Sequence, residues 1–154
     1  MSGELLEDQI KAAVKDAMRN KDKPRLTVLR TAQAAFKQIR VDEGLERDAI
    51  IDDTRAIATI DKMIKQRKDA ASQYKDADRQ DLYNQEMLEV GILTEFLPAQ
   101  LSEDEIQEII AKAKADTGAA GMQDMGKLMG VIKPQVVGKA DMGQVSQLVK
   151  AALN

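Results

Sequence analysis

The residues best suited to chemistry in this chain are lysines, and the chemistry they suit is the holding of phosphate. The run Lys62-Met63-Ile64-Lys65-Gln66-Arg67-Lys68 is the densest basic stretch. From Arg55 to Arg79 seven basic residues stand against four acidic ones. On a helix Lys62, Lys65 and Lys68 share one broad outward face, which suits contacts to phosphate oxygens or, equally, simple solvation. A second basic region closes the chain, where Lys127, Lys133, Lys139 and Lys150 stand against Asp141 alone between Gly126 and Asn154. Gly138-Lys139-Ala140-Asp141 sets a lysine in a turn before a helix, an arrangement that serves a backbone phosphate or an ordinary exposed loop.

Gly121 to Lys127 fits the first seven positions of the phosphate-loop pattern GxxxxGK[ST]. The eighth is Leu128, so the hydroxyl that would hold Mg²⁺ is missing, and no strand precedes the glycines. Nucleotide hydrolysis is therefore excluded here. A helix start with Lys127 in its first turn can still hold a single phosphate, or be only a helix-helix loop. Catalytic constellations are absent. With no His and no Cys, the usual triads, thiolate nucleophiles and soft metal sites cannot be built. Ser2, Ser72, Ser102 and Ser146 carry no signature of activation, and no pair of carboxylates stands apart from the many others. No metal or cofactor is expected.

The elements that must carry these lysines are helices. In 154 residues, 44% are hydrophobic, 32% charged and 3% aromatic, so the core is aliphatic and methionine-filled. Net charge is −3, which makes any nucleic-acid contact a matter of local patches. Phe36, Tyr74, Tyr83 and Phe96 all fit core positions, leaving no platform for stacking bases. The acidic start and the lack of a long apolar run predict neither a signal peptide nor a membrane span, hence a cytoplasmic protein.

Apolar residues recur at steps of three and four almost throughout, predicting an all-α fold. Leu6, Ile10, Val14 and Met18 mark a first helix ending near Asn20. Pro24 opens a second that buries Leu26, Leu29, Ala32, Phe36 and Ile39, with Arg30 and Lys37 outside. A long third helix runs from Ile50 to Tyr74. Its seam of positions 50, 53, 57, 60, 64, 67, 71 and 74 contains two charges, Asp53 and Arg67. A charge on a seam needs a partner, and Glu86 or Glu89 on the fourth helix suits Arg67, which reads as structural. That fourth helix carries Leu82, Met87, Val90 and Leu93, reaches about Glu95, and forms an antiparallel hairpin with the third.

Leu97-Pro98 is the strongest boundary, dividing the chain into 1–97 and 98–154. Beyond it, Ser102-Glu103-Asp104-Glu105 is a capping box, and Gly118 ends that helix. Asp124 caps a sixth helix that Pro134 limits or kinks and Gly138 ends. Asp141 caps a seventh with Val145, Leu148, Val149 and Leu153.

Several of these pieces occur together in one known family. Leu29-Arg30-Thr31 through Ala35-Phe36-Lys37 is followed by Lys62 to Ala70, then Arg79-Gln80-Asp81-Leu82, Glu86 and Glu89. After these come Phe96-Leu97-Pro98-Ala99-Gln100-Leu101, Asp124 to Gly130, and Gly138-Lys139-Ala140-Asp141. In this order, from Leu29 to Leu153, the chain closely resembles the YqeY-like family, with Phe36 and Phe96 as mild departures. The resemblance implies an all-helical protein whose residues 1–97 are the YqeY-type part. Residues 98–154 would be similar to the tail domain of GatB, a subunit of the glutamine-dependent Glu/Asp-tRNA amidotransferase. In that enzyme the tail helps recognise tRNA and catalysis lies elsewhere. The resemblance also groups the chain with carbon–nitrogen ligases that use glutamine as amido-N-donor. Yet the sequence holds no glutaminase domain, no ATP-phosphorylating site and no ammonia channel, so such activity would be borrowed from a partner.

Two expectations follow. In the first, the chain is a tRNA-binding accessory module working beside an amidotransferase or another translation-related protein. Lys127, Lys133 and Lys139 form one surface and Lys62, Lys65 and Lys68 a second. In the second, it is a non-catalytic helical scaffold that binds protein through its long hairpin. A free-standing enzyme ranks last.

Overall fold

The computed structural model describes residues 4–154. Among these there are seven α-helices and no strand: α1 (Leu6–Arg19), α2 (Lys23–Asp42), α3 (Asp53–Asp76), α4 (Gln80–Thr94), α5 (Glu103–Thr117), α6 (Met125–Val136) and α7 (Met142–Leu153). A single 3₁₀ turn, Met122–Asp124, leads into α6. The all-α expectation holds. The chain forms two compact units, Met1–Leu97 and Pro98–Asn154.

In the first unit α1 packs on α2 and α3 on α4, and α2 also touches both α3 and α4. Ile10, Leu29, Phe36, Ile51, Ile60 and Leu93 are wholly buried at its centre. Three of its helices end in the same way. After α1, Lys21 N–H donates to Met18 O and Asp22 N–H to Ala17 O. The same pair of bonds follows α2 at Gly44 and Leu45, and α3 at Asp78 and Arg79. This termination requires one left-handed residue. Gly44 adopts it freely at φ 64°, whereas Lys21 and Asp78 hold φ 55° and 58° despite their side chains.

Helix starts are less uniform. Asp22 caps α2 locally, accepting from Arg25 N–H at 3.2 Å. α1 begins after Leu5, which has no side chain able to cap. Its first amide, Leu6 N–H, instead donates to Asp53 Oδ1 at 2.8 Å. The charge on the α3 seam is thus the cap of another helix.

The sequence pattern placed several residues wrongly. Met18 is 54% exposed, and Ala17 takes the buried position of that turn. α3 begins at Asp53, not Ile50; Ile50 is 74% exposed and Ile51, outside the helix, is fully buried. On α4 Met87 faces outward and Ile92 inward. For Met18 and Ile50 the neighbouring residue is also apolar or small, so a shift of one position keeps the periodicity while turning a different side chain inward.

The second unit packs α5, α6 and α7 around Ile106, Leu128, Ile132, Val136, Val145 and Val149. Its capping box forms as the sequence requires: Ser102 Oγ accepts from Glu105 N–H and Glu105 Oε1 accepts from Ser102 N–H. Gly118 ends α5 at φ 70°. Pro134 lies in the last turn of α6, which ends at Val136, two residues before Gly138. The expected caps at Asp124 and Asp141 are corrected: neither side chain bonds to its own helix start. Asp124 Oδ2 turns back to accept from Ala120 N–H at 3.0 Å, because the 3₁₀ turn ahead of α6 changes the approach of the chain.

Candidate nucleic-acid interface

The two kinds of basic residue do different work here. Arg19, Arg25, Arg40, Arg55, Arg67 and Arg79 are each ion-paired to a carboxylate. Several of these pairs join helices. Arg40 holds Glu7 of α1 and donates through Nε to Ala49 O at 2.8 Å. Arg25 reaches Glu95 at 2.9 Å while standing over the Phe96 ring at 5.8 Å. Arg55 pairs with Glu43. Among the described residues, the one lysine in an ion pair is Lys112, with Asp116. The planar, multiply donating guanidinium suits ties between helices, whereas most ammonium groups stay hydrated outside; Lys114 is an exception, its Nζ donating to Ala152 O at 2.7 Å to join α5 to α7.

Arg67 is the clearest interior case. Its Nε donates to Glu89 Oε1 at 3.1 Å, with longer bonds from Nη1 to Met63 O at 3.3 Å and Nη2 to Thr31 Oγ1 at 3.4 Å. It joins α3 to α4 and α2 with only 17% of its side chain exposed. This is the structural role expected of it, with Glu89 as the partner. At the start of α4, Arg79 Nη2 meets Asp81 Oδ2 at 3.2 Å. That hydrogen bond raises the guanidinium's pKa and lowers the carboxylate's.

The six candidate lysines fall into two sets on different units. Lys62, Lys65 and Lys68 are exposed on α3 while Ile60, Met63 and Ile64 of the same helix are buried. Successive lysines are separated by three residues, or roughly 4.5 Å along the axis. They form one continuous row, flanked by Asp61 and Asp69.

The tail lysines are not gathered in this way. Lys127 is exposed in the first turn of α6 and Lys133 is exposed further along it. Lys139 is half-buried in the turn beyond the helix. About nine residues of helix, roughly 14 Å, separate Lys127 from the end of α6. That length of helix sets Lys127 and Lys139 apart instead of gathering them at one point. Nor do the backbone amides assist them. Asp124 places a negative charge beside the first turn of α6, which disfavours a second anion there. Lys139 and Ala140 N–H both donate to Val136 O, leaving the Lys139 ammonium alone to make a contact. The turn that carries it is fixed, because Leu101 N–H donates to Lys139 O at 2.8 Å and Gln100 Nε2 to Gly138 O at 2.9 Å. The role of Gln100 was not visible in the sequence, since the bond spans 38 residues.

Aromatic side chains take no part in the lysine surfaces. Phe36 is fully buried, Phe96 packs on the core of the first unit, and Tyr74 and Tyr83 are half-buried. No group of acidic side chains able to hold a metal ion gathers among the described residues, and no helix is long and apolar enough to cross a membrane.

A relative from Pyrenophora tritici-repentis (strain Pt-1C-BFP), "Altered inheritance of mitochondria protein 41, mitochondrial", is 27% identical over 135 residues, covering 86% of this chain and 71% of the relative. The family described as Yqey-like protein matches residues 7–153. With all but the ends of the chain matched in this way, the protein belongs to the YqeY-like family.

Proposed function

We propose that this chain is an RNA-binding accessory module whose ligand is tRNA, related by its tail to glutamine-dependent tRNA amidotransferase and relying on a partner for chemistry. The observation that carries this reading is the division of labour among the cations. Lys62, Lys65, Lys68, Lys127 and Lys133 are exposed, Lys139 is half-exposed, and none of the six is in an ion pair among the described residues, whereas most arginines are engaged. Ammonium groups so placed release counterions when they meet a phosphate backbone. This reading leaves the carbon–nitrogen ligase association to the assembly rather than to this polypeptide. The compartment this reading assigns is aqueous and reducing, the cytoplasm; the fungal relative is named as mitochondrial.

The test is tRNA binding by the purified chain across a salt series. Affinity should fall with salt, and the Lys127→Ala, Lys139→Ala double variant should flatten the slope of log K against log salt by about two. An unchanged slope removes those lysines. Turnover of an ATP- or glutamine-dependent reaction by the chain alone would overturn the accessory reading.

A second reading, a protein-binding scaffold, is favoured by Met87 and Leu88, adjacent exposed apolar residues on α4 of the hairpin. It calls for a stable protein complex in pulldown that Leu88→Asp disrupts, with no RNA retained at physiological salt.

A further inference from the structure

α2 and α3 present matching faces to each other. Ala35, Gln38, Ile39 and Asp42 on α2, and Thr59, Lys62, Met63 and Gln66 on α3, each follow the spacing i, i+3, i+4, i+7, and together line a groove of about 300 Å³. Ala35, Ile39 and Met63 make its surface partly apolar, and Gln38, Gln66 and Thr59 add amide and hydroxyl groups. Asp42 and Lys62 face the groove from opposite walls but are not ion-paired with each other or with any other described residue. Asp42 does accept from Gln38 Nε2 at 2.7 Å, which fixes the carboxylate and leaves it further acceptor capacity.

Opposite charges left apart across a partly apolar surface complement a flat ligand with hydrogen-bond donors at one edge and an anion attached. The geometry points to one unstacked guanine nucleotide of an RNA strand. Guanine presents two adjacent donors, N1–H and the 2-amino group, which a single carboxylate accepts together, as it accepts the fork of an arginine. The other bases present no such pair of donors on that edge. The base lies against Met63, Ile39 and Ala35, its donors meet Asp42, and its phosphate meets Lys62. The row Lys62–Lys65–Lys68 carries the strand onward along α3, a continuation that a protein ligand would not need. Single-stranded loops of RNA are where such unstacked bases occur. This inference rests on the RNA-binding reading and adds a base preference to it.

The experiment compares three five-nucleotide RNAs, UUGUU, UUIUU and UUAUU (I, inosine), titrated into the full chain at low salt and followed through the amide resonances of Ile39 and Met63. UUGUU should bind about tenfold more tightly than UUAUU, within the range of a bidentate base contact. UUIUU, lacking the 2-amino group, should fall between them. Asp42→Asn, nearly the same in shape, should bring the ratio of the first and third affinities close to one. Lys62→Ala should weaken all three RNAs and keep the ratio. Equal affinities in the unaltered chain, or a ratio unmoved by Asp42→Asn, would overturn the guanine site while retained tRNA binding left the wider reading standing. Failure of every RNA, tRNA included, would sink both. Concentration-dependent shifts at Met63 without RNA would give the groove to a second copy of the chain and likewise overturn the proposal.

Discussion

Replacing Arg67 by alanine separates the interior role of this residue from a role in binding. Of its three hydrogen bonds, those to Met63 O and Thr31 Oγ1, at 3.3 and 3.4 Å, exceed the usual range and count for little. The charged bond to Glu89 at 3.1 Å dominates. A charge-assisted bond contributes about 1.5–3 kcal/mol, and loss of one partner of a fully buried pair costs ~3–5 kcal/mol. The side chains of Arg67 and Glu89 are 17% and 19% exposed, so water relieves part of the cost of the stranded carboxylate. A loss of about 2 kcal/mol follows, or roughly 8–16 °C in Tm for a unit of this size. Urea unfolding of Arg67→Ala, Glu89→Ala and the double variant measures the coupling, expected at about 1 kcal/mol or more. A coupling below ~0.3 kcal/mol, or a loss of tRNA affinity in Arg67→Ala as large as in the lysine variants without loss of stability, would refute the interior assignment.

Lys21→Gly removes the cost of a left-handed side chain at φ 55° and should stabilise the first unit by ~0.5–1 kcal/mol, read as a rise in urea midpoint. Leu128→Ala leaves a cavity at a position with 0% exposure and should cost about 3 kcal/mol, enough to collapse the amide dispersion of α5–α7 in a unit this small. The Glu105 carboxylate is held below its ordinary value of 4.5 by the Ser102 backbone amide and then the Ser102 hydroxyl. Its folded pKa is depressed, so its contribution to α5 is present above 4.5 and is lost as pH falls through the folded value. An acid titration followed by circular dichroism should show this loss, and Glu105→Gln should flatten it.

Features set by local spacing were readable in the sequence. The capping box needed only Ser102 and Glu105, and both bonds are present. Arg67 stood on an apolar seam and therefore needed an acid one helix away, which Glu89 supplies. Asp53 stood on the same seam, but its partner, the Leu6 amide, lies 47 residues back and has no pattern of its own. Met18 and Ile50 were misplaced because periodicity fixes the spacing of a stripe better than its phase where apolar neighbours compete. The exposed lysines on α3 were legible, since they lie off the stripe. The spread of Lys127, Lys133 and Lys139 along and beyond α6 was not legible in the sequence, which does not fix where that helix ends. The groove against Lys62 was invisible, because the spacing of α2 does not say which helix its face will meet.

The bond from Leu6 to Asp53 also affects the order in which the chain can mature during synthesis. A ribosome that has delivered only the first two helices has not yet made the carboxylate that closes the opening turn of α1. Until residue 53 and its helix emerge, that turn lacks its cap and frays. The beginning of the protein is thus finished by its middle, since the first amide of α1 meets its acceptor only once Asp53 is in place.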